Sequence, residues 1–214
     1  MIIAIDGPAG CGKSTIARLL ADKLGFYFLN TGSFYRAITY AHILSGGDCK
    51  DREAVLKTAK KIKITVEHGD IYIDGVDAEE HLHTKAVDMN ASIVSSDPAL
   101  RGIVTERVRE IAGKMNIVTE GRDTTTVIFP NAEGKFYFDA SPEIRAERRM
   151  KQNSEGQSFE EILSAIKKRD ENDKNKAVGS LKIAKDAVYI DTSHLTIDQV
   201  CEKVISVMRL NYNV

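Results

Sequence analysis

The sequence has few cysteines, no excess of charge of either sign and no long hydrophobic run. Its cysteines, Cys11, Cys49 and Cys201, are odd in number and widely spaced, which fits neither a disulfide framework nor a zinc motif, so we expect reduced thiols. The 30 Lys and Arg residues balance 31 Asp and Glu residues, so whole-chain charge gives no reason to expect nucleic acid as a partner. The longest stretch without a charged residue, Leu24–Tyr35, is well short of the roughly 20 residues that span a bilayer. Any anion site must therefore be local.

The remaining composition is that of an ordinary globular protein. A chain of 214 residues, with 43% apolar and 29% charged residues, is enough for one domain with a sizeable core. The opening segment, Met1–Asp6, has no basic start and reaches an acidic residue after a very short apolar run, unlike a secretory signal. We therefore expect a cytoplasmic protein that binds no membrane.

Short apolar runs alternate with helical patterns along the chain. Strand-like runs occur at residues 1–6, 26–29, 116–119, 135–138 and 187–190. Helical patterns cover about 13–24, 33–44, 52–61 and 97–112, and capping signals at Ser141, Ser158 and Thr196 begin three more helices. Alternation of Ile64, Val66, Ile71 and Ile73 around His68-Gly69-Asp70 predicts a small hairpin. The order of elements predicts a mostly parallel α/β sheet with helices on both faces, and ligands at the carboxyl ends of its strands.

The strongest local signal follows the first strand. A full match to the pattern G-x-x-x-x-G-K-[S/T] is made by Gly7, Pro8, Ala9, Gly10, Cys11, Gly12, Lys13 and Ser14. Glycines let backbone N–H groups converge on phosphate oxygens, and the helix that follows contributes the positive end of its dipole. Lys13 is expected to neutralise the β- and γ-phosphates, and the Ser14 hydroxyl to ligate Mg²⁺. Thr15 could contact the α-phosphate or simply belong to the helix.

Two further blocks lie where predicted strands end, and basic residues recur near the C-terminal third. Thr31–Arg36 follows the second strand, and Glu120–Asp123 follows the third. Their arginines suit a second phosphate, and Asp123 suits a base amine. Arg145, Arg148 and Arg149 form a basic run, and Arg169 follows later in the chain. Such charges are usual on the solvated face of a helix, but phosphoryl transfer also needs several cations around the transferred group.

Taken together, these motifs resemble the bacterial-type cytidylate kinases, a branch of the P-loop nucleoside monophosphate kinases. The resemblance spans nearly the whole chain and is carried by Ile5–Gly10, Thr31–Arg36, Asp74–Asp77, Asn90–Ser92, Arg101, Gly121–Asp123, Val127–Pro130 and Arg169–Asp173. It implies a three-layer P-loop fold with a five-stranded parallel central sheet. It also implies a core of about 1–30, 113–141 and 185–214, a monophosphate-binding subdomain of about 31–112 that carries the hairpin, and a lid of about 142–184.

The resemblance also assigns roles. It implies the catalytic cations Lys13, Arg36, Arg122, Arg149 and Arg169. It implies that ATP, with Mg²⁺ on Ser14, is held by residues 7–14 together with Thr15, Arg145 and Arg149. It implies that CMP or dCMP is held by Thr31, Tyr35, Arg36, Ser92, Arg101, Arg122, Asp123, Arg169, Asp173 and Lys176.

The implied reading of cytosine can be checked against the chemistry of the base. Asp123 would accept a hydrogen bond from the exocyclic amine, while Arg101 and Ser92 would serve the acceptor edge. Uracil would turn a carbonyl toward the Asp123 carboxylate, so the site should favour CMP. No general base is needed because the attacking phosphate oxygen is already ionised.

Four positions depart from the family pattern, and two other functions stay open. Lys176 stands where an arginine is frequent, Glu120 and Asn30 where an aspartate is, and Thr124-Thr125 where a glycine commonly lies. Activity should survive these changes, while affinity or sugar preference shifts. The alternatives are a kinase for another monophosphate such as UMP, or a regulator that binds ATP without transferring phosphate. We expect small-molecule partners only, no nucleic acid, and a monomer.

Overall fold

A computed structural model describes residues 1–67, 69–152 and 156–212. The chain divides into two compact units. The first consists of Met1–Phe26 and Asn116–Val214, and the second is the continuous segment Tyr27–Met115.

The central sheet has five strands in the order β2-β6-β1-β7-β8. The strands are β1 (Ile2–Asp6), β2 (Tyr27–Asn30), β6 (Ile117–Gly121), β7 (Gly134–Asp139) and β8 (Val188–Asp191). Strand β1 runs parallel to β6 on one side and to β7 on the other, and β7 runs parallel to β8. Each strand lies within two residues of its predicted bounds, which confirms the predicted parallel α/β sheet.

The inner strands β1 and β7 are buried on both faces. Ile3, Ala4 and Ile5 in β1 are fully buried, and in β7 Tyr137 is buried between the fully buried Phe136 and Phe138. Near-continuous apolar runs of this kind are typical of parallel strands covered by helices on both sides. Because the strands are parallel, their carboxyl ends meet at one edge, where Asp6 is in register with Gly121 and with Tyr137.

The first unit contains four α-helices: α1 (Lys13–Leu24), α6 (Pro142–Gln152), α7 (Phe159–Asn175) and α8 (Ile197–Tyr212). Helix α1 has its predicted bounds and ends at Gly25, whose φ of 65° lies in the left-handed region. Helix α8 begins with the predicted capping box, since Gln199 N donates to Thr196 Oγ1 and Thr196 N donates to Gln199 Oε1. The capping box of Ser158 and Glu161 at α7 is confirmed in the same way.

The second unit also contains four α-helices and a small antiparallel sheet. The helices are α2 (Thr31–Leu44), α3 (Arg52–Lys61), α4 (Lys85–Val94) and α5 (Pro98–Ala112). The sheet has the order β3-β4-β5 and consists of β3 (Ile64–Glu67), β4 (Asp70–Ile73) and β5 (Val76–Asp77). The predicted hairpin is therefore confirmed in β3 and β4, although His68 in its turn lies outside the described residues.

Four elements of the described residues have no counterpart in the sequence analysis: helix α4, strand β5, a 3₁₀ turn over Glu79–His81 and a π-helical turn over Thr124–Ile128. Thr84 at the start of α4 is a residue type favoured at that position, although its side chain makes no capping hydrogen bond. Both residues of β5 are exposed, and the strand follows β4 through a turn in which Asp74 and Gly75 have positive φ values. The π-helical turn depends on a partner far away in the sequence, which is described below.

The three cysteines are all buried and free, as predicted. Among the described residues, no helix is long and apolar enough to cross a membrane.

The N-terminus of α5 generates a prediction on stability. The Asp97 carboxylate accepts hydrogen bonds from the N–H groups of Ala99 (2.8 Å) and Leu100 (3.2 Å) and pairs with Arg52. Burial raises the pKa of Asp97, but these N–H groups and the guanidinium outweigh it and hold the pKa below its usual value. At neutral pH we expect Asp97→Ala to lower the free energy of unfolding by about 1 kcal/mol, measured by urea denaturation.

The sign of the pH dependence follows from the lowered pKa. The stabilisation by Asp97 is complete above the unfolded-state pKa of about 3.9 and is lost as the pH falls through the lower pKa of the folded state. The difference between wild type and Asp97→Ala should therefore shrink in acid. Asp97→Asn keeps a hydrogen-bond acceptor but cannot titrate. Its free energy of unfolding should therefore exceed that of Asp97→Ala by the same amount at every pH. A wild-type advantage that is independent of pH would contradict this account.

Candidate active site

The glycine-rich loop between β1 and α1 has three carbonyl groups that accept hydrogen bonds from side chains. The carbonyl groups of Pro8, Ala9 and Cys11 accept hydrogen bonds from Lys13 Nζ (2.8 Å), Arg145 Nη1 (3.0 Å) and Thr192 Oγ1 (3.1 Å), respectively. Within the described residues, nothing accepts a hydrogen bond from the N–H groups of Gly10 and Gly12. Loop carbonyls are thus engaged while loop N–H groups are available, which is the arrangement of an anion-binding nest.

Two glycines make this loop possible. Gly7 has a φ of 154°, and a Cβ atom there would lie 2.1 Å from the Phe138 carbonyl oxygen. Gly12, with a φ of 95°, precedes α1 and leaves its first turn without a side-chain cap or an acidic residue. The helix N-terminus therefore keeps its unsatisfied N–H groups and partial positive charge for a ligand.

Lys13 is a buried cation close to a second cation. Its pKa is lowered by burial and, next, by the positive charge of Arg122. Lys13 Nζ also lies 3.7 Å from Cys11 Sγ. Two cations brought together in a mostly buried place are stabilised by an anion, so the pair favours a multiply charged ligand.

Ser14 and Glu120 supply oxygen ligands at the edge of the same loop. The Ser14 hydroxyl donates to Glu120 Oε1 at 2.8 Å, which joins the start of α1 to the end of β6. Mg²⁺ prefers oxygen ligands and commonly takes one or two from the protein and the rest from substrate phosphates and water. In the described part of the chain, no group of three or more His, Cys, Asp or Glu could hold a metal ion alone. These residues thus fit a Mg²⁺ ion that arrives with a nucleotide.

Arg122 is fixed by one acid of α7, Asp173, which also pairs with Lys176 just after the helix. Its Nε donates to Asp173 Oδ2 at 2.7 Å, and Lys176 Nζ lies 3.1 Å from Asp173 Oδ1. Burial opposes the charge of Arg122, but the charge and hydrogen bond of Asp173 outweigh it and raise its pKa. Burial likewise raises the pKa of Asp173, and the two cations outweigh this and lower it. The sequence analysis placed Asp173 near a ribose and did not foresee its ion pair with Arg122.

The arginines of α6 differ sharply in their surroundings. Arg145 is buried, and its two Nη atoms pair with the Asp170 carboxylate of α7 at 2.9 and 2.5 Å. Arg148 donates to the backbone carbonyls of Cys11 and Thr192. Arg149 is exposed, as is Arg169 on α7. Arg145 and Arg148 therefore support the loop, and nothing in their local sequence indicated Asp170 or Thr192 as partners.

In the second unit, three predicted residues make side-chain contacts: Arg101 with Tyr35, and Arg36 with Asp88. The Arg101 guanidinium lies over the Tyr35 ring at 5.5 Å from its centre and donates from Nη1 to the Ser95 carbonyl at 3.1 Å. Arg36 Nε donates to Asp88 Oδ1 of α4 at 3.1 Å. Asp88 was not foreseen, because α4 itself was not.

The remaining candidate residues of this unit lie on α2 and α4. Thr31 is the first residue of α2 and is buried, and Ser92 is exposed on α4. Asn30 caps α2 by accepting a hydrogen bond from Gly32 N at 2.8 Å, which gives this departure from the family pattern a structural role.

The Arg122–Asp173 pair generates a prediction. The side chains are 21% and 7% exposed, so water screens their attraction only weakly. A double-mutant cycle of Arg122→Gln and Asp173→Asn, followed by urea denaturation, should give a coupling free energy of about 1–3 kcal/mol. The exposed pair of Lys167 on α7 and Glu143 on α6 is the control, and its cycle should give a much smaller value. Equal coupling free energies for the two pairs would contradict the inference that burial strengthens the attraction between Arg122 and Asp173.

The chain was compared with known proteins. A family model described as cytidylate kinase matches residues 3–210. The cytidylate kinase of Caldanaerobacter subterraneus subsp. tengcongensis is 40% identical over 212 residues, covering 98% of this chain and 95% of the relative. That of Rhodopirellula baltica is 41% identical, covering 98% of this chain and 93% of the relative. That of Borrelia hermsii is 40% identical, covering 98% of this chain and 99% of the relative.

Solved structures share the fold at low identity. An uncharacterized protein from Eubacterium ventriosum has a TM-score of 0.54 at 15% identity, with 98% of each chain covered. Shikimate kinase from Bacteroides thetaiotaomicron has a TM-score of 0.50 at 13% identity, covering 100% of this chain and 99% of that one. These likenesses support the P-loop kinase fold, and the sequence matches confirm the resemblance: the chain belongs to the cytidylate kinase family.

Proposed function

We propose that the protein transfers the γ-phosphoryl group of ATP to CMP, and to dCMP, giving ADP and CDP or dCDP. The observation that carries this proposal is the glycine-rich loop, whose N–H groups are available to phosphate oxygens beside the buried cation of Lys13. Family membership and the names of the curated relatives support CMP as the acceptor. The buried, free cysteines support a reducing compartment, for which we propose the cytoplasm.

In the transfer, an ionised phosphate oxygen of CMP forms a bond to the γ-phosphorus as the bond from that phosphorus to the bridging oxygen of ATP breaks. The protein therefore has to position two polyanions in line and stabilise the charge on the moving group. Lys13 and Arg149 bind the donor phosphates, and Arg36, Arg122 and Arg169 hold the acceptor phosphate and the transferring phosphoryl group. Ser14, with Glu120 beside it, would hold a Mg²⁺ ion that comes with ATP, and the ion would supply positive charge to the phosphates.

For the acceptor, Asp123 receives a hydrogen bond from the cytosine amine, and Arg101 and Ser92 serve its acceptor edge. Thr31 and Tyr35 line the nucleotide, with Asp173 and Lys176 at its sugar and phosphate. Asp123 is 4% exposed, which suits a carboxylate that must read a base without competition from water. We assign residues 31–112 to monophosphate binding and residues 142–184 to a lid whose Gly156 and Gly179 have left-handed φ values.

The donor side rests on the supports of the loop. Arg145 acts on ATP by holding Ala9 and thereby the curve of the loop, while the exposed Arg149 is available to cover the nucleotide. Closure of the lid excludes water that would otherwise hydrolyse ATP.

The direct test measures ADP release from Mg-ATP with CMP, dCMP, UMP, AMP, GMP or no acceptor. The proposal expects CMP and dCMP to give rates far above the blank. A higher rate with UMP or another monophosphate would keep the kinase and remove the assignment of CMP. Rates equal to the blank for all acceptors would instead favour a regulator that binds ATP.

We expect Lys13→Met to lower kcat by roughly a hundredfold or more with every acceptor, because the charge that stabilises the transferring group is lost. Lys23→Met is the matched control: it makes the same change at the other end of α1, where Lys23 pairs with the exposed Asp198. The control should keep the wild-type rate. A loss shared by both variants would point to damage to α1 rather than to a lost active-site charge.

We expect Asp123→Asn and Asp123→Ala to lower the ratio of kcat/KM for CMP to that for UMP by at least roughly tenfold, because the acceptor for the amine is lost or weakened. The KM for ATP should change little. Asp198→Asn, which neutralises an exposed carboxylate on α8, is the control for charge. An equal loss with CMP and UMP in the Asp123 variants would remove Asp123 as the residue that reads the base.

A further inference from the structure

Asp6 is a buried carboxylate whose partners all come from one short turn. Its Oδ1 accepts a hydrogen bond from Thr124 N at 2.9 Å, and its Oδ2 accepts from Thr125 N at 2.7 Å and from Thr125 Oγ1 at 2.6 Å. No other hydrogen bond reaches this carboxylate from the residues that the structure describes. Asp6 is fully buried, and burial raises its pKa although the three donors oppose the shift. A buried charge with so few donors depends on each of them.

The turn that supplies the donors has an uncommon backbone. Thr124–Ile128 is π-helical: Ile128 N donates to the Asp123 carbonyl at 3.1 Å, and Phe129 N donates to the Thr124 carbonyl at 2.7 Å. Single π-helical turns are rare and are found mostly at functional sites. The segment starts directly after Arg122 and Asp123, so the position of these two side chains depends on where the turn begins.

Asp6 lies on β1, the strand next to β6, from which the π-helical turn continues. It is the last residue of β1, in register with Gly121 of β6, and Gly7 of the phosphate loop follows it. Its carboxylate therefore joins the start of the phosphate loop to the residues that follow Arg122 and Asp123. A shift of the turn would move Arg122 and Asp123, the two residues assigned to the acceptor nucleotide, relative to the phosphate loop.

We propose that Asp6 is a positioning residue for the acceptor nucleotide, which acts by anchoring Thr124 and Thr125 and thereby fixing Arg122 and Asp123. This inference rests on the proposed function. Asp6 touches neither nucleotide, and its effect on transfer passes through the turn.

Two adjacent threonines provide an internal control. Thr124 and Thr125 are both fully or almost fully buried and lie in the same π-helical turn. The Thr125 hydroxyl donates to Asp6, whereas the Thr124 hydroxyl has no hydrogen-bond partner among the described residues. Replacement of either residue by valine removes a hydroxyl and keeps the shape and the backbone N–H. Only Thr125→Val removes a donor from Asp6.

The experiment compares wild type, Thr125→Val, Thr124→Val and Thr125→Ser. We expect Thr125→Val to lower kcat/KM for CMP roughly tenfold, at the lower end of the effect of losing a hydrogen bond to a charged group. The CMP-to-UMP ratio should fall with it, while the KM for ATP stays within about twofold. Thr124→Val should match wild type, and Thr125→Ser, which restores a hydroxyl, should recover most of the loss.

A purely structural role would give a different result. It would lower the melting temperature of Thr125→Val without changing the CMP-to-UMP ratio, and that outcome would overturn the proposal. Equal kinetic losses in Thr124→Val and Thr125→Val would overturn it as well, because the contact with Asp6 would then be irrelevant.

Amide hydrogen exchange separates this inference from the proposed function, since it needs no turnover. Loss of the anchor should raise the exchange rate of the amides of residues 122–129 in Thr125→Val, relative to Thr124→Val. Equal protection in the two variants would overturn the anchor even in an active enzyme. A wild-type protein inactive toward CMP would refute the proposed function, and the anchor would then be judged by exchange alone.

Discussion

A carboxylate without access to water needs hydrogen-bond donors from the protein. The donors of Asp6 link the carboxyl end of β1 to the segment that follows the neighbouring strand β6. Strand β1 delivers Asp6 to the edge where β6 also ends, because the two strands are parallel and Asp6 is in register with Gly121. The chain after β6 then turns so that two consecutive N–H groups and one hydroxyl reach Asp6. The phosphate loop on one strand and the Arg122–Asp123 segment on the other are thus held by one contact.

A second constraint is the gathering of positive charge at this edge. Lys13 is buried near Arg122, and Arg122 is turned toward Asp173 of α7. The loop carbonyls are occupied by Lys13, Arg145 and Thr192, which leaves loop N–H groups for a ligand. Each of these features favours a multiply charged anion, and a kinase needs them assembled before the nucleotide arrives because reorganisation during transfer would cost rate.

Elements with local signals were predicted well. Helices α1 and α5 have the bounds expected from Gly25 and from Asp97, since a cap and an apolar stripe are both present in adjacent residues, and α3 also has its predicted bounds. Helix α4 was missed, because only Val87 and Val94 of its ten residues are buried and its apolar stripe is short. The π-helical turn was missed because the residue that stabilises it, Asp6, lies 118 positions before Thr124 in the sequence.

The sequence by itself determined the alternation of strands and helices, the glycine-rich loop, and the family, because each depends on residues that are neighbours along the chain or on motifs in a fixed order. Only the tertiary structure decided which charges meet. The partners of Arg122, Arg145 and Arg36 are Asp173, Asp170 and Asp88, each at least 25 positions away. No periodicity records such pairs, since they form only when the packing of helices and strands within each unit brings together segments that are distant in the sequence.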